Sequence, residues 1–453
     1  MKRLLVSLLA LFIIAGFTCL PIRAQSEERK SGDWVYTINE DGSATITGYA
    51  GSKSKLTLPE KLGKRKVTAI GDMAFSGLYD LTSIKLPKGL KRIGDVAFYE
   101  CDSLTKLTLP DSVSSLGDNP FSACPAEIIV SKKHPVLAMI DGVLFDKTQS
   151  KLIAFPYKSE QTEYRVPPGT QSIGDMAFFQ CTGITSLTLP EGLTYIGDEA
   201  FSRCTGLTSI DLPKGPLGIG SWAFSECFRL ASLTLPEGLT VIGDVAFSQC
   251  SSLASLTLPL TLSSLGENPF ERCPAQIIVP DGHPVFEIID GVLFDKVRKT
   301  LVAYPYTSVN AAYSVPEGVL TIGASAFREC VSLKEISLPE GLDSIGNWAF
   351  FGTSLISPTT PESLIYIGAS AFSSCFELTS MTLPDGLETI GERAFSACYG
   401  LTSLTIPENV SYIGEDAFSG CDALELELFR GSYAEKWASG QGIPYRLMLD
   451  LAL

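Results

Sequence analysis

The side chains most often used for chemistry are scarce in this chain or tied to a repeating pattern. Its only two histidines, His134 and His283, both stand in a His-Pro-Val that precedes Ile-Asp-Gly-Val-Leu-Phe-Asp-Lys. A Ser or Cys nucleophile needs its own base, and two copies of one duplicated histidine do not supply it. Acidic residues recur after a proline (Glu191, Glu237, Glu317, Glu340, Asp385, Glu408) and after Ile-Gly (Asp72, Asp95, Asp175, Asp198, Asp244). Stacked carboxylates are the donors Ca²⁺ prefers, but neither an EF-hand loop nor a Gly-Gly-x-Gly-x-Asp repeat accompanies them. They read as a solvated turn edge. Eleven of the 12 cysteines lie three residues after an aromatic anchor, at Cys101, Cys124, Cys181, Cys204, Cys227, Cys250, Cys273, Cys330, Cys375, Cys398 and Cys421. CxxC metal spacing is missing, and the odd number in one uniform register points to a buried ladder of free thiols packing as small hydrophobes. No catalytic set, metal site or cofactor is therefore expected, and every glycine recurs with the repeat instead of forming a phosphate cradle.

That repeat governs everything else. Ala-Phe after Ile-Gly places Phe75, Phe98, Phe178, Phe201, Phe224, Phe247, Phe327, Phe350, Phe372, Phe395 and Phe418 in register, mostly 23 residues apart, with Phe121 and Phe270 in the variant Asn-Pro-Phe. Two gaps of 57 close when Phe155 and Tyr304 are placed 23 residues before the next anchor, which gives about 15 coils. In the coil from Phe178, Leu187 and Leu189 alternate with Ser186 and Thr188, the period of two expected of a strand with one buried face. Pro190 ends that strand, and Leu193 and Ile196 turn back to the core. Gly197-Asp198 should open a short helical turn carrying Ala200 and Phe201. One coil cannot bury its apolar edge alone, so stability must come from stacking. The fold expected is a repeat solenoid of leucine-rich type, with a parallel β-sheet and short helical turns.

Two coils are longer, at 34 residues. Cys124–Lys147 and Cys273–Lys296 agree at 17 of 24 positions, and Asp141-Gly142 and Asp290-Gly291 between apolar residues signal two-residue hairpin turns. The expectation is a β-hairpin protruding from the solenoid at about 131–154 and again at about 280–303.

The repeats resemble the BspA-like leucine-rich repeat family of secreted bacterial surface proteins, which carry the same Leu-x-x-Ile/Leu-x-Leu-Pro and Ile-Gly-x-x-Ala-Phe-x-x-Cys elements. Residues 25–62, with Tyr36-Thr37-Ile38 and Ala44-Thr45-Ile46-Thr47, resemble the family's N-terminal lead-in module. Residues 425–453, with Gly431-Ser432-Tyr433 and Gly442-Ile443-Pro444-Tyr445, resemble its C-terminal cap, leaving 63–424 as the solenoid. The resemblance implies adhesion to, or recognition of, host or neighbouring-cell macromolecules, and it carries over no catalytic residues.

Charge and leader agree with that setting. Residues 1–24 read as a signal peptide: Lys2 and Arg3, an uncharged run from Leu4 to Leu20, then Ala24 before polar residues. Secretion or display at the cell surface is expected, with no transmembrane span in the mature chain. A net charge of -15 disfavours nucleic acid. The partner expected is an extracellular protein or glycan. Aromatics outside the repeat consensus are the contact candidates, since core packing does not require them: Trp222, Phe228, Trp348, Phe351, Phe376 and Tyr399, with Phe179 a further one. Trp348, Phe351, Phe376 and Tyr399 fall in three successive coils and are expected to form one patch beside the irregular Ser357–Pro361 segment. The rival readings are a passive envelope spacer and a carbohydrate-active enzyme with scattered carboxylates.

Overall fold

The computed structural model describes residues 27–448, so the leader lies outside the described residues. Each coil closes on itself and hydrogen-bonds to the next along three lines instead of one. The first is the expected strand. Glu163–Arg165, Ser186–Thr188, Ser209–Asp211 and Ser232–Thr234 pair in parallel, with Tyr164, Leu187, Ile210 and Leu233 in one inward row. The second runs through the residue pair ahead of Gly, where Ser172–Ile173, Tyr195–Ile196 and Leu217–Ile219 form a parallel ladder within a sheet of eight strands. Counted with the terminal modules that extend these ladders, the solenoid comprises about 18 turns of about 23 residues, against the 15 anchored by aromatics.

The third line replaces the expected helical turn with a row of β-turns. Glu199, Phe201 and Arg203 donate their backbone N–H groups to Ser221, Ala223 and Ser225 of the next coil, each at 2.8 Å. The residues between them bond back within their own coil, Ser202 N–H to Glu199 C=O at 3.0 Å and Cys204 N–H to Phe201 C=O at 3.1 Å. This alternation requires left-handed backbone at Glu199 (φ 53) and Arg203 (φ 60). Such a conformation costs a non-glycine residue about 1–2 kcal/mol, and the inter-coil bonds offset it. A helix would direct every N–H back into the same coil and remove this third line of bonds between neighbours.

The Gly of Ile-Gly is set by close approach. A Cβ on Gly197 would lie 2.6 Å from the Asp175 backbone nitrogen. The aspartate that follows is a strut: Asp72, Asp95, Asp175, Asp198 and Asp244 each accept, through Oδ1, the backbone N–H of the residue 23 positions later, at 2.7–3.1 Å. The recurring carboxylates after Ile-Gly thus have partners in the next coil, a role the solvated-edge reading did not include.

Inside, the anchors form columns of stacked rings. Phe178–Phe201, Phe201–Phe224 and Phe224–Phe247 have centroids 5.0, 5.2 and 5.4 Å apart. Phe155 and Tyr304 join these columns at 4.8 and 4.9 Å, as their register requires. All eleven cysteines of the described residues are buried free thiols. Seven of them, Cys204 among them at 3.0 Å from the Phe178 carbonyl, donate to the anchor of the preceding coil. A thiol is small and apolar enough for the core yet can still satisfy that oxygen weakly. Burial pushes the thiol of Cys124 up to about 11 and that of Cys330 to about 12, which leaves little thiolate for exchange. Thiol titration of the denatured, unreduced mature protein should therefore approach eleven; three or fewer would mean that bridges staple the coils.

The two insertions do not protrude. Leu137–Ile140 and Val143–Asp146 form the hairpin, with Asp141 (φ 49) and Gly142 (φ 80) at its turn. Val143–Asp146 then pairs antiparallel with Lys151–Ala154, which continues into the parallel second ladder through Ser172–Ile173. The hairpin is built into the sheet because its apolar residues point both ways: Leu144 packs into the core before it, Val143 and Phe145 into the core after it. The second copy, Phe286–Ile289 with Val292–Asp295, repeats this arrangement. The hydrophobic core accordingly divides into three blocks at these hairpins.

His134 and His283, both buried, tie each insertion down. His283 Nδ1 accepts the Val285 and Phe286 N–H groups at 3.2 and 3.1 Å, so its Nε2–H donates to the Pro259 carbonyl at 3.0 Å. Both histidines are structural pegs.

At the ends, the antiparallel strands Arg29–Ser31, Trp34–Ile38 and Ala44–Tyr49 start the second ladder. The helix Tyr433–Gln441, N-capped by Ser432 and C-capped by left-handed Gly442, covers the last coil and packs Trp437 on Phe418 at 5.9 Å. The strand Tyr445–Leu447 closes the first ladder. Pro358, at the inward position of the strand held by Ile336 and Met381 in the adjoining coils, interrupts that ladder by removing an N–H donor, leaving one bridge, Thr359 to Thr382. Thr353 there fills the cysteine position, but its hydroxyl donates at 3.0 Å to the carbonyl of Phe350, the anchor of its own coil, not of the preceding one.

Candidate recognition surface

Each coil turns outward immediately after its buried cysteine, so the next side chain is driven into solvent. Phe376 and Tyr399 occupy this place in adjacent coils and are 55% and 61% exposed, whereas Cys375 and Cys398 are fully buried. The coil repeat sets their separation. Their rings stack at 5.4 Å with planes 5° apart, a flat apolar step on the outside of the solenoid. Phe228 holds the same position, 39% exposed, but its neighbours there are Thr205 and Ser251, and it stands alone.

The other candidates divide by location. Trp348 and Phe351 flank Phe350, with their rings 5.2 Å apart, and the Arg328 guanidinium lies 4.9 and 5.0 Å from the two centroids. Arg328 also pairs with buried Glu271 at 3.3 Å, spanning the second long coil. That tryptophan and phenylalanine cover an ion pair. The four aromatics of these coils thus make two ring pairs at different repeat positions, Trp348 with Phe351 and Phe376 with Tyr399. Trp222 remains 38% exposed. Phe179 is buried against Tyr99 at 6.1 Å, which removes it from the contact candidates.

The second ladder presents aromatics that the sequence reading did not single out. Tyr195, Tyr366 and Tyr412 project from it, each directly before the inward Ile. The ring of Tyr195 extends over Gly218 of the next coil, where a Cβ would come within 3.2 Å of it. A recurring Tyr-Ile-Gly was the available signal.

Each insertion also leaves a cleft, since the long coil lacks the Ile-Gly-Asp turn that neighbours would meet. The first measures about 470 Å³ and is lined by Asp118, Asn119, Val136, Lys151 and Asp175 among others; the second, about 370 Å³, is lined by Glu267, Asn268, Asp295, Arg298 and Tyr366 among others. Asn119 and Asn268 reach across the missing turn, their Nδ2 groups donating at 2.7 Å to the Met176 and Ser325 carbonyls 57 residues later. This explains the Asn of the variant Asn-Pro-Phe. In the first cleft, burial and the facing Asp175 carboxylate, with Asp95 contributing, push Asp118 up to about 6.

A carboxyl whose folded pKa is raised stabilises the fold below its unfolded pKa of about 4 and loses that contribution as pH rises through 6. Asp118→Asn should therefore be more stable than the parent at pH 7.5. Because the group is half exposed, the expected gain is about 1 kcal/mol after screening. Urea unfolding of both proteins at pH 4 and pH 7.5 checks it; a difference independent of pH would mean that the two carboxylates do not share a proton.

The repeats now place the chain. Six copies of the BspA type leucine rich repeat region match residues 50–166, 148–276 and 303–425, and the chain belongs to that family. A leucine rich cell surface protein of Faecalibacterium prausnitzii is similar over 91% of this chain and 97% of its own, at 25% identity and a TM-score of 0.52. A leucine-rich repeat protein of Eubacterium ventriosum (22% identity, 65% of this chain and 82% of its own, TM-score 0.55) shares the fold. So does the pneumococcal vaccine antigen PcpA (19% identity, 94% and 99%, TM-score 0.53). No curated protein matches the chain. No helix among the described residues is long and apolar enough to cross a membrane.

Proposed function

We propose that this protein is exported by its N-terminal leader, acts at or beyond the cell surface, and binds an extracellular protein or glycan without transforming it, as an adhesin or recognition protein does. The observation that carries this reading is the stacked Phe376–Tyr399 pair. Two large rings are held in solvent, contribute nothing to the core columns, and offer the rigid aromatic area that dominates recognition hot spots. Family membership and the surface-protein neighbour support the setting. The purified mature chain should be applied to arrays of glycans and extracellular proteins. Saturable binding to a narrow set of ligands is the expected result. Silence across both arrays would favour a passive spacer, and turnover of an arrayed glycan would make the protein an enzyme; either outcome overturns the proposal.

A further inference from the structure

The overall charge of -15 conceals a strong polarity along the solenoid. Residues 53–92 hold ten Lys or Arg against three Asp or Glu, whereas residues 111–453 hold 19 against 39. The basic segment is folded into one surface. Lys61–Leu62 pairs antiparallel with Arg65–Ile70 so that Lys61 and Lys66 stand directly opposite each other, with Lys64 in the intervening turn after left-handed Gly63. The next coil brings Lys88 and Lys91 alongside: Lys88 N–H donates to Glu60, and Lys91 N–H to the Thr68 carbonyl, the latter at 2.7 Å. These five lysines are exposed, and among the described residues none forms an ion pair. Arg65 and Arg92 are engaged, with the Gly42 carbonyl and with Asp72. Glu60 and Asp41 are the acidic groups at the margin.

Like charges directly opposite on paired strands repel. A lysine on a short edge strand does deter pairing with another chain, but one lysine accomplishes that, and here three crowd a six-residue hairpin with two more one coil away. Further along the solenoid, the positions equivalent to Lys88 are mostly acids, at Asp111, Glu191, Glu237, Glu317, Glu340, Glu362, Asp385 and Glu408, with one cation, Lys214. The excess of cations over acids is thus found at one end.

We propose that this lysine surface binds a flexible linear polyanion, a chain bearing phosphate or sulfate groups at close intervals, independently of the aromatic pair. Coils about 4.8 Å apart repeat the lysines at a spacing that a single strand can follow. A long duplex would run on over the acidic coils and be repelled. Binding would release condensed counterions, which gives it a steep salt dependence.

The test uses the whole mature chain with two probes, a heparin dodecasaccharide and a polyphosphate of similar length, titrated from 50 to 200 mM salt. With five phosphates or sulfates neutralised, affinity should fall about a hundredfold over that range. Lys61→Ser/Lys64→Ser/Lys66→Ser should bind at least about tenfold more weakly at 50 mM and lose over half of the salt slope. Lys299→Ser/Lys334→Ser, on distant coils, should bind as the parent does. Preference for one probe identifies sulfate or phosphate as the group read, and equal binding means charge spacing alone is read; both support the proposal. Failure of both probes, or undiminished binding by the triple variant, overturns it. A salt-sensitive dimer abolished by the triple variant, without probe binding, would overturn it in favour of a second copy's acidic end.

Discussion

Phe201→Ala is expected to destabilise the protein by about 3–5 kcal/mol, the ordinary cost of removing a fully buried phenylalanine. Phe201 is inaccessible to solvent and stacks between Phe178 at 5.0 Å and Phe224 at 5.2 Å. Its removal opens a cavity that neither neighbour can fill, because each ring is fixed by its own coil's turns and by bonds to the next coil. In a solenoid each coil contacts mainly its neighbours, so the loss should concentrate in the central block and separate its unfolding from that of the rest. Thr188→Ala, on the exposed side of the first ladder, should cost less than about 0.5 kcal/mol. Denaturant unfolding followed by circular dichroism decides this. Equal losses at the two positions would refute the inward and outward assignment.

The second large effect is on binding. Phe376→Ala/Tyr399→Ala should weaken affinity for the ligand found by array at least about thirtyfold, equivalent to about 2 kcal/mol. The unfolding transition should move by less than about 1.5 kcal/mol, the contribution of one aromatic pair. Trp348→Ala should behave in the opposite way. It uncovers Arg328 and the Arg328–Glu271 pair beneath, so stability falls while affinity holds. Isothermal titration alongside thermal unfolding separates the two. Retained affinity in the double variant, or affinity and stability falling together, would reduce the Phe376–Tyr399 step to packing.

What could be read from the chain alone followed from local period. A 23-residue register with apolar residues at fixed offsets determines which side chains turn inward, so the anchor column, the first ladder and the placement of Phe155 and Tyr304 were all accessible. The second ladder was not, because most of its strands are two residues long, as at Tyr195–Ile196, and two residues have no alternation to recognise. The helical turn was misjudged for a related reason: Gly-Asp before Ala-Phe is capping chemistry in isolation, and only the neighbouring coil's carbonyls make left-handed backbone at Glu199 and Arg203 preferable.

Contacts that skip a coil were beyond the sequence altogether. Asn119 with Met176, and Arg328 with Glu271, lie 57 residues apart and meet only because the long coil omits a turn. Direction into or out of the core is a property of each coil's own residues, and the sequence determined it. Partnership between coils depends on which turn faces which gap once the hairpins are folded into the sheet, and that was decided by the tertiary structure.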